Sequence, residues 1–333
     1  LRRALMLRDK HLGTLEQGTL ESLNRLGSLL LEKGNYLDAE TFLRTALAIA
    51  EAMYGTFHPV VAHNLNDMGM LYFAKGNTAA AEPLLRRALM IRSMNFGGTH
   101  PLTAQSLSNV GQLLRSQGDL SAAEEHCGRA LEIQKTLYGE EHPDVAVSMG
   151  NVALILRLRA NYEQAEQMYH QLLAMWGKTL GEHHPNYSAT LHEFGELLYE
   201  KGDYAGAEHI LKQALAMRER TLGNEHAATA VTLQTLAELL ARVEKYDEAE
   251  HCFRRAIAIR QMSLGNQHPD TAASFHAFAE FLVEKGDYGA AFFPVQNAFS
   301  IRMQLGGMDD PDTIKSHDLL TAIMETIKSD HHG

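Results

Sequence analysis

The chain has 333 residues and a net charge of −11, with 45% hydrophobic and 21% charged residues. That balance excludes a mostly disordered chain, and the acidic charge argues against a nucleic-acid partner, whose phosphates need a basic face. Two distant cysteines, Cys127 and Cys252, exclude a disulfide framework and a Cys-rich zinc module, fit a reducing, cytoplasmic location, and no apolar run nears the ~18 residues of a membrane span.

The opening Leu1-Arg2-Arg3-Ala4-Leu5 reads as the middle of a helix. Residues 1–12 are therefore expected to be the end of a preceding helix B, which leaves room for an upstream domain of the same polypeptide. Glycine then recurs at 13, 55, 97, 139, 181, 223, 265 and 307, always 42 residues apart. Ala-Glu runs in step from Ala39-Glu40 to Ala249-Glu250, and His-Pro from His58-Pro59 to His268-Pro269, degrading to His226-Ala227 in one copy. Three markers on one spacing define an array.

Seven units are expected over 14–307, each with two helical patterns. In residues 56–97, Pro59 suits the first turn of a helix A over about 59–75. Gly76-Asn77 breaks it, and Asn77 can cap a helix B over about 78–96 that Gly97 ends in a left-handed conformation. Gly27, Gly69, Gly111, Ala153, Gly195, Ala237 and Ala279 share one helix A position. Glycine costs a helix interior about 1 kcal/mol, so its recurrence implies close helix contact. One helix pair cannot bury its own apolar face, so neighbours must stack. Residues 311–328 complete the chain as a capping helix, followed by a polar tail. No linker interrupts 1–333, which predicts a single solenoid.

Leu23, Leu26-Gly27, Leu30, Ala39, Leu43 and Ala46 resemble the tetratricopeptide (TPR) order of large and small residues. Runs such as Arg87-Ala88-Leu89-Met90-Ile91 and Leu264-Gly265-Asn266-Gln267-His268-Pro269 are similar to the 42-residue repeats of kinesin light chain. The coiled-coil heptads of those chains do not occur in this sequence. The resemblance implies an all-α, right-handed superhelical solenoid of antiparallel helix pairs. It implies a non-catalytic scaffold that binds an extended peptide on the concave surface formed by helices A.

Carrying the family register over places Asn24 and Arg25 on that surface in the first unit. His63, Asn66, Met70 and Phe73 follow in the second, Asn109, Gln112 and Arg115 in the third, and Asn151, Leu154 and Arg157 in the fourth. Asparagine is a weak helix former, and its amide can pair with an extended backbone, as groove asparagines do in kinesin light chain repeats. Arg25, Arg115 and Arg157 offer planar forks for carboxylates, while Met70, Phe73 and Leu154 would line apolar pockets. The first four units thus point to a partner with acidic and apolar side chains. The later units carry Glu193, Glu196, Glu238 and Glu280, an acidic half of the groove.

The repeated histidines read as caps. His183-His184 lacks the spacing of a zinc site, and the two cysteines read as core thiols. No nucleotide, dinucleotide or hydrolase motif occurs, so neither cofactor, metal nor catalytic set is expected. Glu244-Lys245 stands where other units have Gly-Asp, which predicts an altered turn. Pro294 should kink helix B of the seventh unit or delay its start, and Pro83 raises the same question. Phe292 and Phe293 are expected to pack under the terminal helix, with a docking patch as the alternative. A sensing arm of a larger NTPase or protease is the alternative to a free-standing scaffold.

Overall fold

The computed structural model describes residues 17–330 and is helical throughout, with no strand among the described residues. Helices A and B alternate: α1 (Gln17–Glu32) and α2 (Tyr36–Tyr54), α3 (Pro59–Ala74) and α4 (Thr78–Phe96), α5 (Pro101–Ser116) and α6 (Leu120–Tyr138), α7 (Pro143–Leu158) and α8 (Tyr162–Thr179). They continue as α9 (Pro185–Lys201) and α10 (Tyr204–Thr221), α11 (Ala227–Arg242) and α12 (Tyr246–Leu264), α13 (Pro269–Glu284) and α14 (Tyr288–Gly306), with α15 (Pro311–Asp330) last. The expected helix over residues 1–12 lies outside the described residues. The chain divides into two compact units, Leu1–Met168 and Tyr169–Gly333.

Each hairpin is written in short-range chemistry. The Nδ1 of His58 accepts the Val60 N–H at 3.3 Å, and His100, His142, His184, His226 and His268 cap their helices A in the same way. At His58, His100 and His142 the imidazole also lies on the aromatic ring that closes the preceding helix B, as in Phe96–His100 with centroids 4.3 Å apart. One residue therefore caps one helix and ties it to the last. Helices B open on Asn35, Asn77, Asp119, Asp203 and Asp287, whose side chains accept the N–H three residues on. Gly55 and Gly97 close helices B at φ 78° and 83°, but with ψ of 167° and 177°. That is the extended positive-φ region open to glycine alone rather than the left-handed helix the sequence pattern implied.

Three local expectations are corrected. The turn before α12 keeps the path of its siblings, because Glu244 itself adopts φ 61° where they use glycine. Ala160 does the same at 58°. Strain of order 1 kcal/mol replaces rearrangement there, and Lys245 provides no side-chain cap. Neither Pro83 nor Pro294 delays its helix: α4 and α14 begin at Thr78 and Tyr288, held by the Asn77 and Asp287 caps at 3.0 and 2.9 Å. Phe293 does not pack under α15; it is 69% exposed, edge-on to Phe292.

Within the first unit, Leu43, Leu65, Leu71 and Leu85 are almost wholly buried, and Leu211, Leu233 and Phe253 play this part in the second. Each such side chain contributes about 1.5–3 kcal/mol. Helix A meets helix B where one side chain is missing: a Cβ on Gly69 would lie 2.7 Å from Leu85, and one on Gly195 would lie 2.6 Å from Leu211. Successive helices A also touch one another, as α3 touches α5 and α11 touches α13. The Ala-Glu marker places Glu40 2.8 Å from Lys75 and Glu250 2.7 Å from Lys285, both in the next hairpin. Gly195→Val should lower stability by about 1–3 kcal/mol in urea unfolding. Gly128→Ala, with nothing within 4 Å of the new Cβ, should raise it by up to about 1 kcal/mol.

Candidate functional site

In the first unit, α1, α3, α5 and α7 set the expected groove residues on one face. Asn24 and Asn66 are not open to a ligand: they are buried, 9% and 5% exposed. Successive helices A lie close enough that this register position falls in the seam between them. Asn109 Nδ2 donates to Asn66 Oδ1 at 2.8 Å across that seam. Ser28 donates to Asp67 at 3.1 Å, and His63 lies 3.6 Å from the same carboxylate. Arg25 and His63 remain exposed, and Met70, Phe73, Asn109, Gln112, Arg115, Asn151, Leu154 and Arg157 are half-buried. Asn109, Gln112 and Asn151 come together, with Gln105 and Gln134, around a pocket of about 330 Å³ between α5, α6 and α7. Its amides supply both donors and acceptors.

The second unit carries a different pocket, of about 410 Å³, where Tyr199, Tyr204 and Arg242 face Glu238, Glu280 and Glu284. Of the expected acidic set it gathers Glu238 and Glu280; Glu193 and Glu196 sit half-buried on α9. Burial pushes the Glu238 carboxyl up from its ordinary 4.5, with Glu196 and Glu280 adding to the shift while Gln234 and Arg260 oppose it. Glu280 moves the other way, because His276 hydrogen-bonds its carboxylate. A raised carboxyl binds its proton more tightly folded than unfolded, so it subtracts stability as pH rises above the unfolded value. Glu238→Gln should therefore match the parent near pH 4 and exceed it increasingly toward pH 7 in thermal melts.

The sequence reading missed a set of buried arginines. Arg92, Arg218 and Arg260 are 1%, 6% and 8% exposed. From helix B, each sends Nη1 into the first turns of the next helix A. Arg218 reaches the Ala228 carbonyl at 2.7 Å and the Thr232 hydroxyl at 2.6 Å. Arg92 takes the Leu102 carbonyl and Ser106, and Arg302 the Asp312 carbonyl and Ser316. Burial pulls the Arg218 guanidinium below its ordinary value, and Glu193 and Glu196 pull it back. The available signal was the recurrence of arginine in step with a hydroxyl fourteen residues later. Arg218→Ala leaves buried acceptors without donors and should cost about 3 kcal/mol in chemical denaturation.

Both cysteines are buried, and burial pushes the Cys127 thiol up to about 11, away from the thiolate that nucleophilic chemistry needs. Among the described residues no three His, Cys, Asp or Glu side chains are placed to hold a metal ion, and no helix is long and apolar enough to cross a membrane.

Antiparallel helix pairs of one length, repeated through small-residue contacts, define an all-α helical repeat solenoid. The chain belongs to the tetratricopeptide repeat family, which matches residues 18–94, 64–126, 102–176, 149–220, 195–262 and 229–304. It is similar in structure to putative kinesin light chain nearly identical TPR-like repeats from Podosopora anserina, with a TM-score of 0.53 and 23% identity over 61% of this chain and 96% of that one. A Rap protein complexed with competence and sporulation factor aligns with a TM-score of 0.54 and 14% identity over 93% and 98%. A signal transduction ATPase with a tetratricopeptide repeat sensor from Pyrococcus horikoshii gives 0.64 and 14% over 96% of this chain and 47% of that one. No curated protein matches the sequence.

Proposed function

We propose that the protein is a non-catalytic, cytoplasmic scaffold that holds an extended partner segment on the helix A face of its first unit. On this reading the hairpins work as one array over 14–307, with α15 as its cap. The observation that carries it is the amide-lined pocket of about 330 Å³, because it gathers Asn109, Gln112 and Asn151 where a backbone can be paired. Arg115 and Arg157, one and nearly two turns further along their helices, suit acidic side chains of the same segment, and Met70, Phe73 and Leu154 suit apolar ones. Rigid helices hold these groups in place, so the ordering entropy falls mainly on the flexible partner. The match to a sensor-bearing ATPase favours a second reading, in which the array is the sensing arm of a larger protein and the same face receives its signal.

Fluorescence titration with acidic, apolar-containing peptides tests the groove. Asn109→Ala and Arg115→Ala should each weaken binding about tenfold, or ~1.4 kcal/mol. Equal affinity in the parent and both variants removes the proposal.

A further inference from the structure

The pocket in the first unit sits where the array breaks its own arginine rule. At the helix B position of Arg92, Arg218, Arg260 and Arg302, α6 carries Gln134. In the arginine hairpins, Nη1 donates to the carbonyl ten residues on and to the hydroxyl fourteen residues on. Counted from Gln134, those two positions are Asp144 and Ser148, and both line the pocket. Gln134 is shorter than arginine, and its Oε1 is buried with no hydrogen-bond partner. An unpaired buried acceptor costs about 1–3 kcal/mol.

Two other hairpins also lack the arginine, but each has a substitute. Beyond Ala50, Asn64 Nδ2 donates to the Val60 carbonyl at 2.9 Å, the acceptor an arginine at 50 would use. At Trp176 the indole fills the space and is 3% exposed. The Gln134 hairpin has acceptors, a pocket and no cation among the residues lining it, while Asp144 brings a carboxylate.

We infer that this pocket receives an arginine side chain from the partner, which completes in trans the contact that neighbouring hairpins make in cis. The inference rests on reading the helix A face as the partner site. About 330 Å³ lies at the small end of the ~300–1,000 Å³ range of ligand pockets and suits one side chain. A planar fork carries several donors for acceptors such as the Asp144 carbonyl, Ser148 Oγ and Gln134 Oε1, where lysine offers a compact point charge.

The test uses N-acetyl-arginine methylamide as the probe, followed by NMR on the whole chain. Saturable shifts are expected at the Gln134 side-chain amide and at Ser148, absent with the citrulline analogue and at least fivefold weaker with the lysine analogue. Gln134→Arg, which supplies the guanidinium in cis, should weaken probe binding at least tenfold and raise the melting temperature. Ser148→Ala, which removes one hydroxyl, should weaken it at least threefold and serves if Gln134→Arg does not fold. Absence of a saturable shift in the parent, or undiminished binding in a folded variant, overturns the inference. Acidic-peptide binding that depends on Asn109 while the arginine probe does nothing would remove this pocket's assignment and leave the groove standing. Probe binding without any response to Asn109→Ala in peptide titrations would do the reverse.

Discussion

Every contact between hairpins depends on a constant 42-residue length. Glu40 finds Lys75, and Glu250 finds Lys285, 35 residues on. The buried arginines reach acceptors 10 and 14 residues on in each hairpin that has them. A single inserted residue would rotate one helix by about 100° and misplace all of these partners together. Uniform length is therefore the condition under which weak, repeated contacts add up. Surface ion pairs contribute about 0–1 kcal/mol each, so the array's stability comes from stacked apolar faces.

The places where the array departs from its own rule show how firmly packing holds it. Ala160 and Glu244 accept positive φ rather than alter the turn. Pro83 and Pro294 lie inside α4 and α14 without moving their starts. Local preferences of about 1 kcal/mol at the turns and about 3 kcal/mol at the prolines yield to stacking on both sides. Gln134 differs: at the position where four other hairpins carry an arginine, it lines a pocket.

Electrostatically the two units differ in kind. The first presents amides with Arg25, Arg115 and Arg157, while the second gathers Glu238, Glu280 and Glu284 beside two tyrosines. Burial raises the Glu238 carboxyl, and the neighbouring carboxylates of Glu196 and Glu280 add to it. On the proposed reading, an acidic segment held by the first face would be repelled by the carboxylates of the second.

The sequence by itself determined the repeat length, the two-helix plan of each repeat with bounds for the pair over 56–97, the His and Asn77 caps, and the glycine positions where helices meet. All of these follow from local chemistry or a fixed offset, and both can be counted along a chain. Only the tertiary structure decided which polar residues face outward. Asn24 and Asn66 looked like groove residues and lie in the seam between helices; Phe293 looked like core and lies outside; the burial of Arg92 had no counterpart in the sequence pattern of its own repeat. Exposure depends on how closely neighbouring helices approach, and that distance is set by the volumes of side chains contributed from two hairpins at once. No single repeat contains that information.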